Sequence, residues 1–411
     1  MASAKSRQIL IVISKMNIGI LTHCIANNFG ANLQALSTAM YLRKHGHNAI
    51  FFFWDDYLKK RSTRMNQLQL EQHRNFLSSF GFELSQPCST DDEFINEIKK
   101  YNIHNILIGS DAVFTYATKL DRYSFRKFKL TDVSEDRKFP NPFWVPFVSK
   151  IDQCRYFYLS PSCQSTNYRF IEKNVKNKMR NIMSESSFLC ARDTCTKDMM
   201  KYILGGNVDI PITPDPVWGF TSNVDKIPSK EEILLKYNLK QDYMLISFYD
   251  CPLSVEWLST FQQLCKQDGI ELYSLPMPQG NFDSKLPQIK LPVNPLDWFS
   301  IIKYSKGYVG NNMHPVIVSM HNRVPFFSID QHGKRIWRFF FDKTSKVYDL
   351  LKRFGFQNQR VSVKNISKCT PEMVYNNLIH FNVEKCDAVA VQMEMEYQQL
   401  MSKICKNFLV D

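Results

Sequence analysis

Apolar runs alternate with helical spacing along the first half of the chain. Residues 17–23 (NIGILTH) read as a buried strand. In ANLQALSTAMYLRKHG, Leu33, Leu36, Met40 and Leu42 recur at roughly helical spacing with Ala35 and Ala39 beside them, and NAIFFFW forms the next strand. HNILIGSDAVF (residues 104–114) is a strand that runs into Gly-Ser-Asp, and CRYFYLSPS (154–162) is another that ends in small polar residues. SSFLCARDTCTKDMMKYIL enters a helix after Arg192, with Asp193 or Thr194 as its N-cap. Alternation of this kind predicts a parallel sheet. Between about 115 and 150 the chain is rich in Lys, Arg, Phe and Pro without a clear period, and reads as a loop-rich insertion.

PITPDPVWGF (211–220) is a proline-punctuated exit, followed by the polar linker TSNVDKIPSKEE, after which the pattern restarts. YMLISFYD is a strand, residues 256–268 a helix and IELYSLPM a strand. NPLDWFSIIKYSKGYVGNNMHPVIVSMHNRVPFFSID and a helical tail close the chain. The expectation is α/β, with two similar Rossmann-like domains, 1–220 and 221–411, facing one another across a cleft. Ligands of open parallel sheets bind beyond the carboxyl ends of the strands. Residues 27–32, 109–111 and 311–314 each follow a predicted strand.

A chain of 411 residues is too long for one ordinary core, which agrees with two domains. With 44% hydrophobic and 22% charged residues the composition is globular, and runs such as Ile9–Ile13 (ILIVI) fall far short of a membrane span. Lys5 and Arg7 are followed by too brief an apolar segment for a signal peptide, so the expectation is a cytoplasmic protein. Eleven cysteines without a CxxC pair argue against a zinc site and against a disulfide framework. They read as reduced side chains filling apolar space. A net charge of +13 suits an anionic small substrate or an anionic membrane face. No zinc finger, RNP-like motif or basic aromatic helix points to nucleic acid. The carboxylate pairs Asp55-Asp56 and Asp91-Asp92-Glu93 lie at a strand exit and a helix start, where solvation or capping explains them.

The loop Asn27-Asn28-Phe29-Gly30-Ala31-Asn32 opens a helix, where backbone N–H groups attract anions and Gly30 permits close approach. It equally suits a capping loop, with Asn32 as cap and Gly30 in a turn. Ser110 and Asp111 follow a strand, where Asp111 either caps a helix or holds a ligand hydroxyl. His314 lies at a strand-to-helix corner, with Pro315 suited to the first helical turn, and is either structural or a general acid/base. Arg192, just before a helix, either clamps an anion or makes an ion pair.

Taken in order, these segments resemble the polysaccharide pyruvyl transferase family. The resemblance rests on ANNFGANLQAL, ILIGSDAVF, YLSPSCQS, CARDTC, TPDPVW, the His-corner segment from NPLDWF to PFFSI, and SKVYDLLKRFGFQNQRV. It implies a GT-B-like fold and transfer of the pyruvyl group of phosphoenolpyruvate onto two hydroxyls of a sugar, as a ketal, with no other cofactor and no metal. His314 and Arg192 would be the catalytic pair. Asn27, Asn28, Gly30, Asn32, Gln34, Ser110, Asp111, Asn312 and Arg323 would bind substrate. The acceptor would be a sugar, lipid-linked or nucleotide-linked, met at the inner face of the membrane. One departure stands out. Several relatives resemble Arg-Leu-His at the corner, whereas this chain has Asn312-Met313-His314, leaving Arg323, Lys334 or Arg335 to supply the missing charge. A GT-B-like glycosyltransferase using a nucleotide sugar, and a non-catalytic member of an assembly complex, are the alternatives.

Overall fold

A computed structural model of the chain describes residues 15–55, 66–124, 128–164, 166–206, 208–336 and 339–408. The predicted ILIVI run, Asp56 and the Arg335 side chain lie outside what is described. The first domain is a five-stranded parallel sheet of β1 (Asn17–Leu21), β2 (Asn48–Trp54), β3 (Glu83–Cys88), β4 (Asn105–Ile108) and β5 (Arg155–Tyr158), in the order β3-β2-β1-β4-β5. The second is a five-stranded parallel sheet of β6 (Tyr243–Ser247), β7 (Glu271–Ser274), β8 (Gly307–Gly310), β9 (Phe326–Asp330) and β10 (Arg360–Ser362), in the order β10-β9-β8-β6-β7. The chain reverses its direction of growth between β1 and β4, and again between β6 and β8. Central strands β4, β6, β8 and β9 are buried along their whole length, as strands covered by helices on both faces must be.

Helix α1 (Phe29–Lys44) follows β1 and is buried along most of its surface, because it lies between the two domains. It starts two residues earlier than its apolar spacing suggests. Its cap is Asn28, whose side chain accepts from the Ala31 N–H at 3.3 Å, so Asn32 is not the cap. On the outer face, α2 (Gln67–Ser79) and α3 (Asp91–Lys100) follow β2 and β3. Thr90 and Glu93 close a capping box on α3, the role that accounts for that acidic cluster. The longer of the remaining helices of the first domain, among the described residues, are α4 (Lys173–Glu185) and α5 (Thr194–Leu204), the latter capped by Asp193. The second contains α6 (Lys230–Tyr237), α7 (Val255–Gln267), α8 (Pro295–Lys303), α9 (Met313–His321), α10 (Lys346–Arg353) and α11 (Pro371–Ile379), and ends in the tail helix α12 (Val383–Cys405).

Two features depart from the sequence pattern. The loop-rich stretch at 115–150 contributes to the core: Phe143, Trp144 and Phe147 are fully buried, and Trp144 stacks on Phe114 at 4.5 Å between ring centres. Its aromatics fill the core without helical or strand period, which is why no period was legible. The tail helix belongs by packing partly to the first domain, because Tyr397 meets Tyr41 edge-on at 6.1 Å and Phe408 meets Phe157 at 5.3 Å.

The domains meet over a specific seam. Phe29 stacks on Trp298 of α8 at 5.0 Å with planes 6° apart. The Gln69 side-chain amide donates to the Val293 carbonyl at 2.8 Å and accepts from the Val293 N–H at 2.7 Å. Asn27 reaches the Pro278 carbonyl at 3.3 Å. One continuous apolar cluster runs through both domains.

Candidate active site

Loops leaving β1, β4, β6 and β8 converge from the two reversal points and enclose a cleft of about 620 Å³. Its walls carry Asn27, Asn28 and Gly30 from the first domain's leading loop, Asp111 from the second, and Asn311 to His314 from the loop after β8. The first turns of α1, α9 and α10 all face it, through Gly30, His314 and Lys346. Helix N-termini bring partial positive charge, so an anion is favoured there.

Behind the wall lies a layer of paired charge. Gly109 and Asp111 take left-handed φ of 108° and 74°, and a Cβ at Gly109 would fall 2.5 Å from the Leu159 carbonyl oxygen, so only glycine fits. A left-handed aspartate at a strand end is the sort of backbone strain that marks functional loops. Arg192 is 5% exposed and donates to Asp215 at 2.9 Å, with its other terminal nitrogen 3.6 Å from Asp111. Gln34 donates to Asp215 at 2.5 Å, and Ser110 donates to the Ser160 carbonyl at 2.7 Å. Burial would lower the Arg192 pKa, but Asp215, Asp111 and Asp193 outweigh it, so the guanidinium is permanently charged. Burial pushes the Asp111 carboxyl up, and the His314 ring and Arg192 then hold it well below the usual carboxylate range.

His314 projects from the first turn of α9 against Gly30. A Cβ at Gly30 would fall 2.0 Å from the imidazole Cγ, so the glycine of the asparagine loop is there to admit the histidine of the other domain. Burial drives the imidazole pKa down to about 4 against the upward pull of Asp111 and Asp215, which leaves the ring neutral at neutral pH. Its Nε2 has no hydrogen-bond partner among the described residues. Lys346, half-buried at the start of α10, lines the cleft and has no ion-pair partner among the described residues. Burial and then Arg192 lower its pKa, against Asp111, Asp193 and Asp215.

The expected site residues divide into three groups. Asn27, Asn28, Gly30, Asp111, Asn312 and His314 line the cleft. Gln34, Ser110 and Arg192 stand one layer behind it, where Arg192 braces Asp215 and Asp111 while its Nε and second terminal nitrogen have no hydrogen-bond partner among the described residues. Asn32 and Arg323 fall outside. Asn32 is fully buried and ties the loop to itself, donating to the Ala26 and Asn28 carbonyls at 2.9 and 2.8 Å. Arg323 faces away at the end of α9, bonded to Asp387 at 2.7 Å. Lys334 lines a neighbouring cavity instead of the cleft. Sequence reasoning missed Lys346 and His332. SKVYDLL is part of the family resemblance, but no spacing ties its lysine to a histidine 32 residues earlier. Among the described residues no group of His, Cys, Asp and Glu is placed to hold a metal, and no helix is long and apolar enough to cross a membrane.

Two Rossmann-like domains with a polar cleft between facing strand ends define a GT-B-like protein. A UDP-N-acetylglucosamine 2-epimerase shares this fold at a TM-score of 0.53 with 9% identity, over 95% of this chain and 94% of that one. A putative enzyme of the same name from Listeria monocytogenes matches at 0.49 with 10% identity over 95% and 96% of the two chains. The glycosyltransferase SnogD from Streptomyces nogalater matches at 0.48 with 10% identity over 95% and 98%. No curated protein matches the chain. The sequence model described as polysaccharide pyruvyl transferase matches residues 28–333, and the chain belongs to that family.

Proposed function

We propose that this cleft transfers the pyruvyl group of phosphoenolpyruvate onto two hydroxyls of one sugar, forming a cyclic ketal during surface polysaccharide synthesis. The observation that carries the reading is that a neutral His314, its Nε2 without a hydrogen-bond partner, and Lys346, without an ion-pair partner among the described residues, share the cleft where three helix N-termini meet. The donor has a phosphate and a carboxylate, and Lys346 with the helix ends would hold them.

As the first sugar hydroxyl oxygen bonds to the donor's central carbon, the C=C electrons take up a proton at the methylene carbon, which becomes a methyl group. His314 relays that proton, accepting one from the hydroxyl on its neutral ring and delivering one to the methylene carbon. Next the C–O bond to phosphate breaks and the second sugar oxygen bonds to the same carbon. Its proton leaves by way of His314 with the phosphate, so one ketal and one phosphate form from each donor. A bound anion favours imidazolium and would lift His314 from about 4 toward neutrality, linking donor binding to proton transfer. A positioned acid/base of this kind contributes about 10²–10⁴-fold. The acceptor is proposed to be lipid- or nucleotide-linked, and the +13 charge supports work beside an anionic membrane.

The test is acceptor-dependent phosphate release from phosphoenolpyruvate with a panel of lipid-linked and nitrophenyl sugars. Release that His314→Ala abolishes supports the reading. Absence of release with every acceptor, together with no calorimetric binding of phosphoenolpyruvate, overturns it.

A further inference from the structure

A second cavity of about 260 Å³ opens beside the cleft and shares Gln164 and Lys346 with it. Cys195, half-buried in the first turn of α5, lines this cavity. Its sulfur lies 3.6 Å from that of Cys163, which is fully buried in the loop after β5. The two segments are already tied together: the Cys163 N–H donates to Thr196 Oγ1 at 2.8 Å, and Ser162 Oγ donates to Asp193 at 2.6 Å. We propose that Cys195 and Cys163 are a peroxide-oxidisable dithiol at the rim of the cleft, with Cys195 reacting first and Cys163 resolving it to a disulfide.

The environment separates the two thiols. The Cys163 thiol donates to Cys195 and lowers its pKa; burial and Asp193 oppose this, while Lys334 adds to it. Every other cysteine in the chain is pushed up by burial, Cys163 included. A thiol whose ionisation its surroundings favour, reached from a cavity and beside a second thiol, is the arrangement that peroxide selects. The Cys195 thiolate attacks one peroxide oxygen, the O–O bond breaks, and hydroxide leaves, taking up a proton to become water. The Cys163 sulfur then attacks the sulfenic sulfur, its S–O bond breaks and a second water leaves. Two thiols lose two electrons and two protons, and one peroxide is reduced. Closing 3.6 Å to about 2.05 Å would draw the Cys163-Gln164 segment toward α5, and Gln164 lines both cavities.

The full-length protein treated with hydrogen peroxide at near-stoichiometric amounts should lose two hydrogens by mass. Digestion should then yield one peptide pair cross-linked through Cys163 and Cys195, which dithiothreitol separates. In Cys163→Ser, dimedone should trap sulfenic acid on Cys195, and Cys195→Ser should abolish both products. Because the mapping works on the unaltered chain, it does not depend on either variant folding. Oxidation that starts at any other cysteine, or a Cys195 that stops at sulfenic acid while Cys163 remains a thiol in the unaltered protein, would overturn the proposal. Neither outcome depends on the reaction assigned to the cleft.

Discussion

Gly30→Ala isolates what the glycine of the asparagine loop does. Gly30 sits in the first turn of α1 and is buried, and on an isolated helix exchanging it for alanine should stabilise by about 0.5–1 kcal/mol. Here the new methyl would lie 2.0 Å from His314 Cγ and 2.2 Å from Nδ1. Ordinary contact between carbon atoms begins at about 3.5 Å, so a shift of about 1.5 Å is needed. The atom struck is Cγ, one bond from the His314 Cβ, and no rotation of the ring about its own axis relieves it. The side chain must change χ1 and leave the cleft, or α1 and α9 must part. Overpacking of this kind costs about 1–3 kcal/mol, which the helix gain offsets in part, leaving a net destabilisation of about 0–2.5 kcal/mol. Activity should suffer far more, approaching the loss in His314→Ala, about 10²-fold or greater. Acceptor-dependent phosphate release and urea denaturation should be measured on both single variants and the double variant. In the His314→Ala background the alanine at 30 should be neutral or stabilising, because its obstacle is gone. Full activity in Gly30→Ala, or equal destabilisation in both backgrounds, would refute the reasoning.

Lys346→Gln should raise the KM for phosphoenolpyruvate by about 10-fold or more, since one charge-assisted contact is worth about 1.5–3 kcal/mol, with little change in thermal stability. Arg323→Gln loses a partly exposed pair with Asp387 and a hydrogen bond to the His321 carbonyl, both away from the cleft, so it should cost about 1–2 kcal/mol and leave KM unchanged. Gln69→Ala leaves the Val293 N–H and carbonyl without their cross-domain partner and should destabilise by about 1–3 kcal/mol, read as a lower urea midpoint. Burial depresses His73, His314 and His321 to about 3, 4 and 3. Above their ordinary value of 6.5 neither folded nor unfolded chain holds these protons, and below it only the unfolded chain takes them up. Stability should therefore fall as pH drops from 6.5 toward 4, by about 1.4 kcal/mol per pH unit for each histidine, and His321→Asn should reduce that slope by about one proton in urea titrations.

The frame was legible because it is written locally. Buried strands read as continuous apolar runs, helices as spaced ones, and the cleft follows from where parallel strands end. Asn27, Asp111 and His314 could be placed because each directly follows a strand, and strand ends share one side of the sheet. Asn32 and Arg192 show where this reasoning stops. Both sit in the right loops, yet Asn32 points into its own loop and Arg192 is enclosed by Asp215 and Asp111. Adjacency in sequence fixes the position of a backbone and leaves the direction of its side chain to packing. The core role of 143–147 was hidden for a related reason, since aromatics that fill a gap need no period.

The corner lacking arginine carries the larger lesson. Asn312-Met313-His314 keeps the histidine and omits a cation, so the sequence suggested a compensating charge shortly downstream. The fold supplies one from the start of α10 instead, 32 residues after His314, because α9 and α10 both begin at the cleft mouth. Lys346 and His314 both answer to the charges of Asp111 and Asp215, so the four groups form one electrostatic unit built from both domains. Parting the domains would undo it. The Phe29–Trp298 stack and the Gln69 clip to Val293 thus bear on chemistry as well as stability, because they hold the two halves of that unit at a fixed distance. Phe29 and Trp298 also line the cleft, so a mutation at that stack should lower kcat through His314 as well as loosening the seam.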